Sequence, residues 1–307
     1  MYAPIVMFVY NRTHHFEQAF RALAKCPEAA ESELFIFSDG PRNESDSIRV
    51  AGVRRCVRRM MRERAFMRMH IEERKTNMGL SPSVIDGVSQ IIEKFGRVIV
   101  IEDDAVVSPY FLKFMNAALD YYEDDNTIGS IAGYTPAIEF PDDYRKDVFT
   151  AYRSCSFGWA TWRENWDGCD WELKDIKQFM KNRDMIKRLN ANGSDRFKRL
   201  YNLSKGVGTS WSVRFGAHMV KNNWLTIYPR YSYVINIGNE ALASKNTVED
   251  SDMVSVDLDR AIENFELETP EINQDIQKAL KNHYSQGGLN DARNAASDFG
   301  LFLKSMF

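Results

Sequence analysis

The apolar residues of this chain fall into runs and stripes of two periods. Residues 4–10, PIVMFVY, are continuously apolar and predict a strand buried on both faces. From His14 to Lys25, Phe16, Ala19, Phe20 and Leu23 recur at helical spacing. A second apolar run, Leu34 to Phe37, ends in Ser38-Asp39-Gly40-Pro41, residue types that set up a tight turn. Strand, helix, strand and turn in that order predict the opening of a parallel sheet covered by helices.

The alternation continues. Ile48, Gly52, Val53, Cys56, Val57, Met60 and Met61 form one helical stripe, with Arg54, Arg55, Arg58, Arg59 and Arg62 on the other faces. Phe66 to Glu72 alternates loosely and predicts another strand. Ser81 to Phe95 reads as a helix with Ser81 as N-cap, Pro82 at the first position and Val84, Val88, Ile91 and Ile92 inward. It leads into Arg97 to Ile101, the strongest buried-strand pattern in the chain, which ends in Glu102-Asp103-Asp104. Ser108-Pro109 then caps a helix with Leu112, Met115, Leu119 and Tyr122 on its packed side, and Ile128 to Ala132 predicts the next strand.

Past residue 134 the pattern weakens. Residues 134–175 are rich in Trp, Tyr, Gly, Ser and Asp, and strongly charged helices follow near 174–204. Strand character returns over 224–237, where Pro229 requires an edge, a bulge or a break. The tail carries two short amphipathic patterns, Ile272 to His283 and Asn290 to Phe307.

Composition narrows the class. The 307 residues are 44% hydrophobic and 27% charged, which excludes a disordered or collagen-like chain. The net charge of −3 supplies no domain-wide cationic field, so nucleic acid is not an expected partner. Cys26, Cys56, Cys155 and Cys169 include no CxxC pair and read as small buried hydrophobes. The N-terminus lacks a cationic head and a long apolar run, so the expectation is a cytoplasmic protein. Between Arg54 and Lys75, nine basic residues face three acidic ones. The stretch Arg54 to Arg68 is either a solvated helix face or a peripheral contact with an anionic membrane or phosphate-bearing acceptor, the former being the ordinary case.

The sharpest chemical signal is Glu102-Asp103-Asp104. Three consecutive carboxylates at the end of a buried strand raise one another's pKa and need solvent, a cation or hydrogen bonds as compensation. Ligands of parallel α/β sheets bind at the C-terminal ends of the strands, where this triplet falls. Alternation sends Glu102 and Asp104 one way and Asp103 the other, provided the strand geometry persists to Asp104. A divalent ion shared between such a carboxylate and a diphosphate would neutralise both. Oxygen ligands without a nearby His/Cys set favour Mg²⁺ or Mn²⁺ over Zn²⁺.

The segments VMFVYNR (6–12), FIFSDGPR (35–42), NMGLSPSVIDGV (77–88), RVIVIEDDAVVSPYFLKF (97–114) and SFGWATWRENW (156–166), in this order, resemble GT-A glycosyltransferases. Within them the chain is similar to the N-acetylglucosaminyltransferase I group and allied bacterial sugar transferases. The resemblance implies an α/β GT-A fold with a mostly parallel central sheet, a smaller acceptor-side region and a helical C-terminal tail. It divides the chain into a nucleotide-sugar-binding half at 1–133, an acceptor-side half at 134–262 and the tail at 263–307. It further implies a metal-dependent transferase that moves a sugar from a UDP-sugar such as UDP-GlcNAc to a glycan or lipid-linked hydroxyl, with inversion. Asp104 matches the acid that binds the metal; Glu102 and Asp103 match its neighbours near the ribose. Arg12 matches the arginine near the donor diphosphate, and Asp39 the acid that accepts from the uracil N–H. As bottom-up alternatives, Asp39 supports the Asp-Gly-Pro turn and Arg12 caps the sheet edge.

Inverting transfer needs a base for the acceptor hydroxyl. The family's Asp-Trp element corresponds here to Ser210-Trp211, and serine is a poor base, so Asp167, Asp170 and Glu240 are the candidate bases. Trp159, Trp162 and Trp211 are candidate acceptor contacts, because aromatic faces cover the apolar face of a sugar; the ordinary role of each is packing. Gly158 is a candidate for close backbone approach to the donor sugar. Two rival readings are a nucleotidyltransferase acting on a sugar phosphate and a non-catalytic glycan-binding protein on a degenerate transferase fold.

Overall fold

The computed structural model describes residues 2–238 and 256–285. The chain opens with β1 (Ile5–Val9), α1 (Thr13–Leu23), β2 (Glu33–Ser38), α2 (Glu44–Met61), β3 (Arg68–Glu73), α3 (Leu80–Phe95) and β4 (Arg97–Glu102). There follow β5 (Ala105–Val107), α4 (Phe111–Tyr121), β6 (Ile128–Ala132), β7 (Val148–Ala151), β8 (Trp159–Trp162) and α5 (Arg163–Trp166). Next come α6 (Ile176–Lys181), α7 (Arg183–Leu189), α8 (Arg196–Ser204), α9 (Trp211–Lys221), β9 (Leu225–Pro229), β10 (Val234–Asn236) and α10 (Gln274–Ser285).

Eight strands form one sheet in the order β3-β2-β1-β4-β8-β6-β9-β7, and β10 pairs with β5 in a two-stranded sheet. The β1–β2, β2–β3, β1–β4 and β6–β9 pairs are parallel; β8 runs antiparallel between β4 and β6, and β7 antiparallel at the edge. The result is a mixed, mostly parallel sheet flanked by helices, with a smaller C-terminal helical region, consistent with a GT-A-like α/β fold. Strands from both sides of residue 133 alternate within this one sheet, since β8 lies between β4 and β6.

Period-two alternation divides the core. Ile5, Met7, Ile99 and Ile101 pack on one face with Phe16, Phe20, Val53 and Leu112, whereas Val6, Phe8, Val98 and Val100 pack on the other with Val88, Ile92, Trp211 and Phe215. Strand β3 has one neighbour and an alternately exposed pattern, as an edge strand should.

Several boundaries differ from the sequence expectation. Helix α3 begins at Leu80 with Gly79 before it, and the buried Ser81 hydroxyl has no hydrogen-bond partner, so Ser81 is not the cap. Helix α4 starts after Tyr110; Ser108 acts one turn earlier, its hydroxyl accepting from the Tyr110 N–H at 3.3 Å. The 224–237 segment breaks after Pro229, and the remainder leaves the main sheet to pair with β5. In the tail, α10 covers the first predicted pattern, and the second lies outside the described residues.

The arginine-rich face of α2 is largely engaged by the protein itself. Arg54 donates to the carbonyls of Ser38, Asp39 and Arg74, Arg58 pairs with Glu73, and Arg59 pairs with Glu17 at 2.9 Å. Arg58 and Arg59 nevertheless remain more than half exposed. Among the described residues no helix is long and apolar enough to cross a membrane.

The tryptophans expected at a cleft are in the core. Trp159 is 1% exposed and stacks on Trp211 at 4.7 Å and Trp166 at 5.6 Å, while Trp211 is 3% exposed. Trp162 is 4% exposed and donates its indole N–H to the Leu119 carbonyl at 3.3 Å. Buried on all sides, none of the three offers a face to a sugar. Trp159→Ala should destabilise the fold by about 3–5 kcal/mol, read as a lower midpoint in urea unfolding; a loss below about 1 kcal/mol would remove the indole stack from the core.

Candidate functional site

The register of β1, β2 and β4 brings distant residues to one edge. Val9 pairs with Ser38 and Phe8 with Glu102, so all three strands end at nearly the same level. The ladders run one residue further: the Asp39 N–H donates to the Val9 carbonyl at 3.1 Å and the Asp103 N–H to the Phe8 carbonyl at 3.0 Å. Arg12, Asp39, Glu102, Asp103 and Asp104 therefore line the C-terminal edge of the parallel strands, where such sheets bind ligands.

At its centre is a shared cation. One Arg12 guanidinium nitrogen, Nη2, donates to Asp103 Oδ1 and, at 2.9 Å, to Asp104 Oδ2. The other Asp103 oxygen accepts from the Tyr10 N–H at 3.3 Å. Burial would by itself lower the Arg12 pKa, but Asp103 and Asp104 outweigh it and hold the guanidinium firmly charged. Burial is also the main pressure on the acids. It pushes Glu102 up to about 8, with the charges of Asp104 and Asp103 adding and Arg12 opposing. Asp103 is pushed up to about 6 by burial, Arg12 again offsetting part of the rise.

Asp104 differs from its neighbours. Its Oδ1 is buried and has no hydrogen-bond partner, an arrangement that is costly for a carboxylate unless a ligand completes it. Its carbonyl accepts from the Ile237 N–H at 2.8 Å, and His15 Nε2 lies 3.2 Å from the Ile237 carbonyl, so the end of β10 folds over the cluster. At Gly238 any side chain would collide with Asp104 Oδ2 and come within 3.1 Å of Arg12 Nη1, so only glycine allows this approach.

These residues suit a hard divalent cation in one mode. Among the described residues no group of three or more His, Cys, Asp or Glu side chains is arranged to hold a metal ion, so no closed protein cage exists. A single unpartnered carboxylate oxygen is nevertheless how Mg²⁺ or Mn²⁺ is commonly held when substrate phosphates and water complete its shell. Asp104 Oδ1 fits that mode.

Asp39 has a different occupation from the one the sequence resemblance implies. Oδ1 accepts from the Gly40 N–H at 2.8 Å and the Met78 N–H at 2.9 Å. Oδ2 accepts from the Asn77 side chain and the Gly79 N–H, both at 2.9 Å. A carboxylate offers about four lone-pair positions, and here the protein's own donors fill them. Asp39 thus ties the loop before α3 to the end of β2 and has no acceptor capacity for a uracil N–H. This is the turn-supporting alternative, extended to a second loop.

The candidate bases do not join the cluster. Trp162 pairs with Arg97, the first residue of β4, so the chain beyond β8 lies past the opposite end of that strand from Asp104. Asp167 is exposed there, and Asp170 accepts from the Asp175 N–H at 2.8 Å beside a separate cavity of about 150 Å³ shared with Arg214 and His218. Neither can serve the Asp104 edge from that position. Glu240 lies outside the described residues. Ser210 caps α9, its hydroxyl accepting from the Val213 N–H at 3.4 Å, which gives the serine a structural duty. Gly158 has φ +57°, and a Cβ there would lie 2.7 Å from Val234 Cγ2, so internal packing accounts for this glycine.

Sequence reading missed a supporting layer. Tyr10 Oη donates to Asp46 Oδ2 at 2.6 Å, while Asn11 and Arg49 donate to Asp46 Oδ1 at 3.1 and 2.9 Å. This anchors the Tyr10–Arg12 segment to the first turn of α2. Asn43 followed by Asp46, a helix-cap pattern, was the available signal; the link to Tyr10 was not.

No protein-family model and no curated protein matches the sequence. Solved structures do. A mannosyltransferase from Pyrobaculum calidifontis, solved with GDP-Man and Mn²⁺, is 15% identical over 57% of this chain and 47% of its own, with a TM-score of 0.39. TarS from S. aureus is 12% identical over 83% of this chain and 38% of its own, at 0.45. Its fragment 1–349 is 12% identical over 76% and 60%, also at 0.45. The chain thus spans between 38% and 60% of the length of these structures. At such scores the superpositions are loose, and the fold stands on the sheet topology itself.

Glu102→Gln should stabilise the protein without metal at alkaline pH. Below about pH 4.5 the carboxyl is protonated in both states; above it the unfolded chain releases a proton that the native state keeps up to about 8, so wild-type stability falls across that window. The variant escapes the fall. Its Tm should exceed the wild type's by about 2–4 °C at pH 8 and converge with it near pH 4; equal melting temperatures at pH 8 would mean that Glu102 is not buried against its neighbours.

Proposed function

We propose that this protein is a glycosyltransferase that moves a sugar from a nucleoside-diphosphate donor to a hydroxyl of a glycan or lipid-linked acceptor. The donor that the sequence resemblance implies is a UDP-sugar. One observation carries the reading: the buried, unpartnered Oδ1 of Asp104 beside a guanidinium shared by Asp103 and Asp104 at the C-terminal edge of the parallel strands.

The chemistry follows from charge. A departing nucleoside diphosphate gains negative charge as the bond to the anomeric carbon breaks, and cationic groups fixed at that position lower the barrier. Arg12 supplies a fork suited to phosphate oxygens, and its anchorage through the Tyr10–Asp46 contact keeps the segment in place before donor arrives. Mg²⁺ or Mn²⁺, held by Asp104 Oδ1 when bound, would supply Lewis-acid stabilisation of the diphosphate. Asp103, with both oxygens engaged, orients Arg12. Glu102 projects from the same strand end, where burial and the charges of Asp104 and Asp103 raise its pKa in the absence of a cation.

Calorimetric titration with UDP, with and without Mn²⁺, tests this. In the parent, Mn²⁺ should tighten UDP binding at least tenfold; Asp104→Asn should abolish that gain; Arg12→Gln should weaken UDP binding whether or not Mn²⁺ is present. Mn²⁺-dependent UDP affinity that survives Asp104→Asn unchanged would sink the metal-holding role. The absence of any UDP binding by the parent would sink the donor assignment.

A further inference from the structure

Two arginines outside the donor cluster are held by aromatic rings and by nothing else. Arg230 follows Pro229, the last residue of β9, and its guanidinium carbon lies over three rings: Tyr231 at 5.3 Å, Phe140 at 5.7 Å and Tyr144 at 5.9 Å. Arg260 lies over the same Tyr231 ring at 4.6 Å. Sharing one ring, the two guanidiniums are no more than about a Debye length apart, ~10 Å at 0.1 M salt.

Ring faces attract a cation but offer no oxygen to its N–H groups. A guanidinium has five such donors, and among the described residues those of Arg230 and Arg260 meet no protein acceptor and no carboxylate. Arg230 is half-buried, and its Nε is enclosed without a partner, a costly state unless something shares the charge. Its two Nη nitrogens also lack a partner but are not enclosed, so a ligand can reach them. The other charges around Tyr144 are engaged: Lys146 pairs with Glu268 at 2.9 Å and Glu271 at 3.1 Å, and Asp147 Oδ2 accepts from the Glu266 N–H at 2.9 Å.

The sheet puts this pair on the functional edge. Strand β8 is antiparallel to both β4 and β6, and β9 is parallel to β6, so β9 ends at the same edge as β4. It stands three strands from β4, about 14 Å at ordinary strand spacing. From Tyr231 the chain passes through Tyr233, whose N–H donates to the Gly133 carbonyl at 2.8 Å, into the β10 segment that folds over the acids.

We propose that Arg230 and Arg260, clasped by Tyr231, bind a phosphate group carried by a saccharide acceptor; calling that saccharide an acceptor rests on the transferase reading above. Two planar forks suit a doubly charged phosphate better than a singly charged carboxylate. None of the large apolar residues exposed among the described residues lies in 139–147, 230–231 or 256–260. The site therefore has no apolar surface with which to enter a bilayer, which favours a phosphate on a saccharide over one on a lipid.

Calorimetric titration of the full chain in EDTA with glucose 6-phosphate, glucuronate and glucose tests this. The expected result is saturable one-site binding of glucose 6-phosphate, at least fivefold weaker binding of glucuronate and none of glucose. Arg230→Gln/Arg260→Gln should weaken glucose 6-phosphate binding at least tenfold, and Arg12→Gln should leave it unchanged. Arg260 is exposed, so Arg260→Gln alone should keep the parent's melting temperature and still weaken binding about threefold, which separates a lost contact from a lost fold. Affinity indifferent to both arginines, lost with Arg12→Gln alone, or equal for glucuronate or glucose would overturn the proposal. Co-sedimentation with phosphatidylcholine vesicles containing phosphatidic acid, abolished by the double variant, would also overturn it by moving the phosphate to a lipid. Because no nucleotide enters the titration, a parent that binds glucose 6-phosphate but not UDP defeats the donor reading alone, and one that binds UDP but not glucose 6-phosphate defeats this one.

Discussion

The guanidinium of Arg12 is what lets this chain end a strand with a fully buried centre in three carboxylates. Without a cation between them, Asp103 and Asp104 would stand side by side at the close of β4, each 8% exposed or less, with only backbone donors to offset their charge. Nη2 touches both, and the cost that remains appears in the raised pKa values of Glu102 and Asp103. The arrangement is compensated and still unfinished, because one Asp104 oxygen is enclosed without a donor. Stability has been given up where a ligand can restore it, the pattern expected of a binding site.

The rest of the architecture positions that unfinished point. Equal strand ends at Val9, Ser38 and Glu102 make a level platform; Asp46 fixes the segment that carries Arg12; Asp39 fastens the loop ahead of α3; the 236–238 segment covers the cluster from the other sheet. Each support comes from a different stretch of sequence, so the geometry depends on the whole sheet and not on one loop. The segment that follows β8 leaves from the far end of β4, which separates Asp167 and Asp170 from the platform by the length of a strand.

How much was legible in the sequence depended on whether the signal was local. Strands buried on both faces, such as Ile5–Val9 and Arg97–Glu102, announce themselves as unbroken apolar runs, and their parallel order follows from the helices between them. That order puts Arg12 and the acidic triplet at one edge of the sheet, but the contact of Arg12 with Asp103 and Asp104 was not foreseen. Strand β8 could not be placed: four residues, Trp-Ala-Thr-Trp, with antiparallel partners from two other segments, carry no periodic signature. The duty of Asp39 was hidden for the same reason, since its donors at Asn77, Met78 and Gly79 are nearly forty positions away. Tryptophan composition suits a sugar cleft and a core equally, and only burial separates the two.

The indole stack on the α9 side of the sheet has an optical consequence. Trp159 touches both Trp166 and Trp211, and Trp171 closes on Trp166 at 4.5 Å, so four of the chain's six tryptophans are electronically adjacent. Ring systems this near exchange excitation, and their combined near-ultraviolet dichroism registers the seating of α9 on β8. The molecule thereby carries an intrinsic spectroscopic gauge of one face of its sheet, insensitive to a mere change of charge among the acids at the strand ends.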